Sequence, residues 1–284
     1  MSKNTIKTYV LLAALGGLLV LAGQYFFARG GALIGLAIGL LFVGGSYWFS
    51  DKIAIKAARA QPVSEQQAPQ LYRIMRGLTL SANMPMPRLY MTPDDQPNAF
   101  ATGRNEEHAV VAVTQGITRL LNEDELRGVL AHELAHVRNR DILIGSVAAA
   151  VAMGITFLGR MVMWGAMFGG AGGRDERNGG GLGLLFMMLL APIAAFLLQM
   201  AVSRSREFEA DRRGAQLAGS GEPLARALEK LHAGSRQIPM NVNPAQASMY
   251  IVNPLSGRNV SFAKFFVTHP PVEERIARLR GWER

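Results

Sequence analysis

Four long apolar runs divide this chain, and they restrict its architecture more than any other feature. Residues 9–28 and 32–49 are nearly free of charge, with Arg29, Gly30 and Gly31 between them. Two further runs span about 142–165 and 182–202, separated by a glycine-rich stretch in which Arg174, Asp175, Glu176 and Arg177 cancel. A helix of about 20 apolar residues crosses a bilayer core, so each run is long enough to be a transmembrane helix. Composition agrees: 49% of residues are hydrophobic and 18% charged, which is apolar for a soluble protein. Arg160 falls inside the third run, where burial in lipid would be costly, so it is expected to snorkel to the outer boundary or face the bundle.

Lys3 and Lys7 precede the first run, as they would in a signal peptide, but a second run follows at once with no polar domain between. The expectation is an uncleaved hairpin over 1–50. Lys3, Lys7, Lys52, Lys56 and Arg59 flank this hairpin, whereas Arg29 alone lies in its loop, so the positive-inside rule puts both ends in the cytoplasm. A second hairpin over 142–202 returns the chain to the same side. The polar parts, 51–141 and 203–284, then form the two portions of one cytoplasmic domain. The net charge of +9 does not point to nucleic acid, because the basic residues flank apolar runs instead of forming one aromatic-interleaved patch. The chain has no cysteine, so any metal must be held by histidine and carboxylate.

Within the first polar portion, Leu71, Ile74, Met75 and Leu78 recur at helical spacing over 64–82. Arg88–Met91 reads as a strand before a turn-rich stretch that ends at Pro97. Asn98–Gly103 and His108–Val113 read as two strands joined across Gly103–Asn105, predicting a small antiparallel sheet. The second portion is mainly helical to Leu231; residues 233–262 read as a mobile loop, and a short helix closes the chain after Pro270 and Pro271. The fold class is therefore α+β, predominantly helical, on a multi-pass membrane protein.

The chemistry centres on His132, Glu133 and His136. Histidines four apart share one face of a helix, where both rings can grip one ion, and Glu133 points at the same place. This H-E-x-x-H pattern is a zinc-hydrolase signal. The competing reading is an amphipathic helix with two solvent-facing histidines. Asn122, with Glu125 three residues on, predicts a capping box at the helix start. A catalytic zinc site needs a third protein ligand, and Glu207 is the best candidate. Asp211 lies four residues after it on the same face, within reach of the outer nitrogen of a ligating histidine. Glu209 lies about 200° around that helix and should face away. Taken alone, this second cluster is also compatible with a solvated Arg–Glu helix. A hairpin over 142–202 that enters and leaves on one side would bring His136 and Glu207 together. His108 and His232 carry no partner spacing and read as structural.

The segments His132–His136, Ser203–Asp211, Pro97–Gly103 and Thr268–Pro271 together resemble the HtpX family of membrane zinc metalloproteases, relatives of the prenyl-protein endopeptidases with the same gluzincin site. The resemblance covers essentially the whole chain. It implies an endopeptidase of the bacterial inner membrane with a cytoplasmic site, acting on unfolded or damaged membrane proteins in quality control. It further implies one zinc ion per chain held by His132, His136 and Glu207, Glu133 as general base, and His269 and Arg275 near the metal as oxyanion stabilisers. The strand Asn98, Ala99, Phe100 and Ala101 would be the edge that binds substrate. Two rivals remain: an intramembrane metalloprotease, which would set the motif in an apolar helix, and a non-proteolytic membrane scaffold or chaperone with a structural metal.

Overall fold

The computed structural model describes residues 31–139, 141, 204–238, 250–252 and 270–282, together with positions 6, 10, 13 and 17. Helix α1 (Gly31–Ala57) carries the second apolar run, and its Leu33, Leu41, Trp48 and Phe49 side chains are exposed. Among the described residues no helix is long and apolar enough to cross a membrane. Apart from positions 10, 13 and 17, the runs 9–28, 142–165 and 182–202 lie outside the described residues.

After α1 come β1 (Gln61–Pro62), α2 (Pro69–Ala82), β2 (Arg88–Thr92), β3 (Ala99–Thr102), β4 (Val110–Thr114), α3 (Gln115–Leu120) and α4 (Glu123–Arg138). Helices α5 (Arg204–Ala218), α6 (Glu222–Gln237) and α7 (Val272–Gly281) complete the described elements. In α2 a proline occupies the first turn, where its missing N–H costs nothing. The face formed by Leu71, Ile74, Met75 and Leu78 is buried, and the helix stops at Asn83, whose φ of 50° is left-handed.

The sheet is mixed, with strand order β1-β2-β4-β3, and not purely antiparallel as the sequence suggests. Strands β3 and β4 do pair antiparallel, Phe100 opposite Ala112 and Ala101 opposite Val111. The chain leaves β2, passes to the far edge as β3, and returns into the gap as β4. Strand β4 must therefore run parallel to β2, with Leu89 opposite Val111. Every residue of β4 is buried, as befits a central strand covered on both faces. Strand β3 is left at the sheet edge.

Helix α4 lies at the centre of the domain, packed by α2, α5, α6 and β3. Leu126, Val129, Leu130 and Leu134 of α4 join Leu224, Leu228 and Leu231 of α6 in one core. Gly128 permits the close crossing of α4 and α6, because a Cβ there would stand 2.7 Å from the Leu224 nitrogen. The helix starts with the expected capping box: Asn122 Oδ1 accepts from the Glu125 amide at 2.9 Å, and Glu125 Oε2 accepts from the Asn122 amide at 3.0 Å.

The stretch 233–262 does not begin as a loop, since α6 continues through Gln237. The cause is tertiary. A Cβ at Gly234 would meet Pro97 at 2.7 Å, Ser235 is buried, and Gln96 Nε2 donates to the Ser235 and Ile238 carbonyls at 3.1 and 2.7 Å. Residues 239–249 and 253–262 lie outside the described residues.

Candidate metal centre

Helices α4 and α5 bring three donors together. His132 Nε2 and His136 Nε2 are 3.1 Å apart. Glu207 Oε1 lies 3.5 Å from His136 Nε2, and its Oε2 lies 3.9 Å from His132 Nε2. All three residues offer ligand atoms within 4.8 Å of one another. Nitrogen and oxygen ligands bound tetrahedrally to zinc at ordinary bond lengths stand about 3.3–3.6 Å apart, so these residues fit such an ion. The site is enclosed, with His132, Glu133 and Glu207 each no more than 5% exposed.

Behind each imidazole stands a carboxylate. Asp211 Oδ1 is 2.9 Å from His132 Nδ1, and Asp141 Oδ2 is 3.3 Å from His136 Nδ1. Each pairing favours a proton on Nδ1 and leaves Nε2 as the electron-pair donor toward the site. Asp141 was not singled out in the sequence; the available signal was a carboxylate just past the end of the motif helix, and Arg206 lies 3.7 Å from its other oxygen. Arg275 is fully buried and meets Asp211 through two hydrogen bonds, from Nε at 2.9 Å and from Nη2 at 2.7 Å. Its Nη2 is 3.4 Å from His132 Nε2, and its Nη1 is 4.0 Å from Glu207. His269 lies outside the described residues.

The electrostatics follow from this layout. Burial draws the His132 pKa down to about 4, against the upward pull of Asp211. Burial also acts to lower His136, but the Glu207, Asp141 and Glu133 carboxylates outweigh it and push the value up to about 9. That field favours positive charge between the donors, which is what a cation site requires. Burial would raise Asp211, yet Arg275 and His132 hold it down to about 2. For Arg275, burial works against the charged form, while Asp211, Glu207 and Glu133 keep its pKa above the ordinary arginine range.

Helices α4 and α5 approach closely because residue 214 is glycine. A Cβ there would stand 2.9 Å from both the Cα and the nitrogen of His132, backbone atoms that cannot give way. Gly214→Val is therefore expected to push α5, and Glu207 with it, away from α4. Metal affinity should fall at least about tenfold and stability by about 1–3 kcal/mol, read by competition with a chromogenic chelator and by thermal unfolding. Unchanged affinity would mean that α5 does not depend on this contact. Glu209 points outward and pairs with Arg212 and Arg213.

The other sequence-selected histidines have partners of their own. His108 bonds Asn105 and Arg104, and His232 is partly exposed near Glu273. Asn98, Ala99, Phe100 and Ala101 are buried along the sheet edge, which is met by Tyr250–Val252. The Ile251 amide donates to the Ala99 carbonyl at 3.0 Å. Asn98 Nδ2 donates to the Val252 carbonyl at 2.9 Å, and the Val252 amide donates to Asn98 Oδ1 at 3.3 Å. Sequence reading missed this segment, which has no periodic pattern to mark it.

Comparison with known proteins gives a consistent result. The family described as "Peptidase family M48" matches residues 65–283. A protein named "Protease HtpX homolog" from Syntrophobacter fumaroxidans is 56% identical over 281 residues, covering 98% of this chain and 99% of the relative. One of the same name from Thermococcus sibiricus is 49% identical, covering 97% of this chain and 94% of the relative. Among solved structures, the "Crystal Structure of S. mikatae Ste24p" is similar with a TM-score of 0.52 at 19% identity, over 97% of this chain and 65% of that one. At that identity it speaks for the fold alone.

Proposed function

We propose, from the premise that this chain belongs to peptidase family M48 and is a metalloprotease, that it is a zinc-dependent endopeptidase of the bacterial inner membrane, with its site and both termini in the cytoplasm. Its substrates are unfolded or damaged membrane proteins, cut in quality control. The observation that carries this reading is the convergence of His132, His136 and Glu207 within 4.8 Å, two of them with a carboxylate behind the ring.

Zinc held by these three residues supplies a Lewis acid that polarises a peptide carbonyl and makes water more acidic. Glu133, buried beside His132, takes the proton of the attacking water and passes it to the leaving amine. Asp211 and Asp141 hold the Nδ1 protons of the two imidazoles and so fix their orientation. Arg275 directs its N–H groups to Asp211 and the Ile251 carbonyl, an arrangement that supports a positioning role. Its Nη2 also lies 3.4 Å from His132 Nε2, and the oxyanion contact is assigned to His269 together with Arg275. Strand β3 lies at the sheet edge, where an extended substrate can add as a further strand along Asn98, Ala99, Phe100 and Ala101.

The exposed apolar side chains of α1 support a lipid contact for the 1–50 hairpin, and the charged residues at both ends of the motif helix keep the site out of the hydrocarbon. In this arrangement a reporter fused after Arg284 reads as cytoplasmic and one inserted near Gly179 as periplasmic; the reverse pattern would break the hairpin topology. The test of the chemistry is metal dependence. Protein purified from membranes in detergent should lose cleavage of an unfolded protein on chelation and regain it with added zinc. Metal-free protein that still cleaves would overturn the proposal.

A further inference from the structure

We infer that Tyr250–Val252 is a built-in competitor for the substrate edge, a segment that must leave β3 before an extended peptide can pair there. The inference rests on reading β3 as the substrate-binding strand. An edge strand offers a row of outward main-chain groups to any chain that can lie beside it. Here part of that row is occupied from within. The Ile251 amide takes the Ala99 carbonyl at 3.0 Å, and the Asn98 side chain both donates to and accepts from the Val252 main chain at 2.9 and 3.3 Å. These are contacts to peptide groups, so any other extended chain can replace them bond for bond.

Two further features tie the segment to the site. Arg275, which holds Asp211 with two of its nitrogens, gives its third, Nη1, to the Ile251 carbonyl at 3.1 Å. One guanidinium therefore anchors both the partner of a metal-binding histidine and the occluding segment. Tyr250 is buried edge-on against Phe100, with ring centroids 5.1 Å apart. It fills an apolar pocket lined by Ala58, Ala60, Phe100 and Ala112. Its hydroxyl has no hydrogen-bond partner among the described residues. An unsatisfied buried hydroxyl weakens the plug; Ile251 and Val252 pack in the domain core, so an incoming chain must replace apolar contacts as well as the main-chain bonds.

The experiment uses zinc-loaded, full-length protein in detergent and a peptide hydroxamate as the probe. Hydrogen exchange across Ile251 and Val252 should accelerate when the hydroxamate binds. Protection that stays unchanged while proteolysis is inhibited overturns the inference and leaves the protease reading intact. A protein that cleaves nothing with zinc bound overturns the protease reading itself. Separately, Ile251→Pro removes the amide that donates to Ala99. It should lower KM by roughly three- to tenfold at little changed kcat, as for an enzyme whose competent fraction rises from a minority to most of the molecules. Tyr250→Ala should act in the same direction if the proline variant fails to fold. With metal content preserved, an unchanged or raised KM in the folded variant counts against the competitor.

Discussion

Glu133→Gln is expected to lower kcat by roughly 10²–10⁴-fold while leaving the metal bound, because the amide keeps the shape of the side chain but cannot accept the water proton. Glu133 is buried next to His132 but is not among the three residues whose donors converge. Its loss should therefore spare the metal and KM, and fall on the chemical step. Metal content of the purified variant, by mass spectrometry, and single-turnover cleavage of an unfolded protein together check this. Proteolysis at the wild-type rate with metal intact would remove Glu133 from the mechanism. Loss of metal along with activity would instead assign it a structural part in the site.

Replacing Asp211 by alanine should have the largest effect on stability. The carboxylate accepts two hydrogen bonds from Arg275 and lies 2.9 Å from His132 Nδ1, with both Asp211 and Arg275 fully buried. Removing it strands a guanidinium without its main counter-charge, which costs about 3–5 kcal/mol for a buried pair. It also frees the imidazole to turn, which lowers metal affinity about 10- to 100-fold. The two consequences separate in the double variant Asp211→Leu with Arg275→Met. Replacing both charges by apolar groups should recover most of the thermal stability but none of the metal affinity. Recovery of both would show that Asp211 serves only to neutralise Arg275.

Legibility in the sequence followed the range of the forces involved. The capping box of α4 was readable because Asn122 and Glu125 satisfy each other within one turn. The buried face of α2 was readable because Leu71, Ile74, Met75 and Leu78 obey a local period. The antiparallel pairing of β3 with β4 followed from a short connection. The parallel pairing of β2 with β4 did not, since the order of strands is decided by which gap the returning strand fills. Residues 233–237 resembled a loop, and it is Pro97 and Gln96, far away in sequence, that hold them in α6. At the candidate site the histidine spacing and the Glu207–Asp211 interval were visible as patterns on helices. Asp141 lies past the end of α4, outside the period that orders the motif helix, and Ile251 meets Ala99 through main-chain atoms that no side-chain pattern reports.

The three donors do not come from one continuous piece of chain. His132 and His136 stand before the long segment 142–202, and Glu207 stands after it. An ion joining them is thus also a cross-link between parts of the chain far apart in sequence. Because the unfolded chain cannot hold these donors together, the free energy of binding the ion is shared with folding. A chain without its ion is then expected to have α5 less firmly fastened to α4, so that metal supply would bear on how long the protein survives as well as on how fast it works.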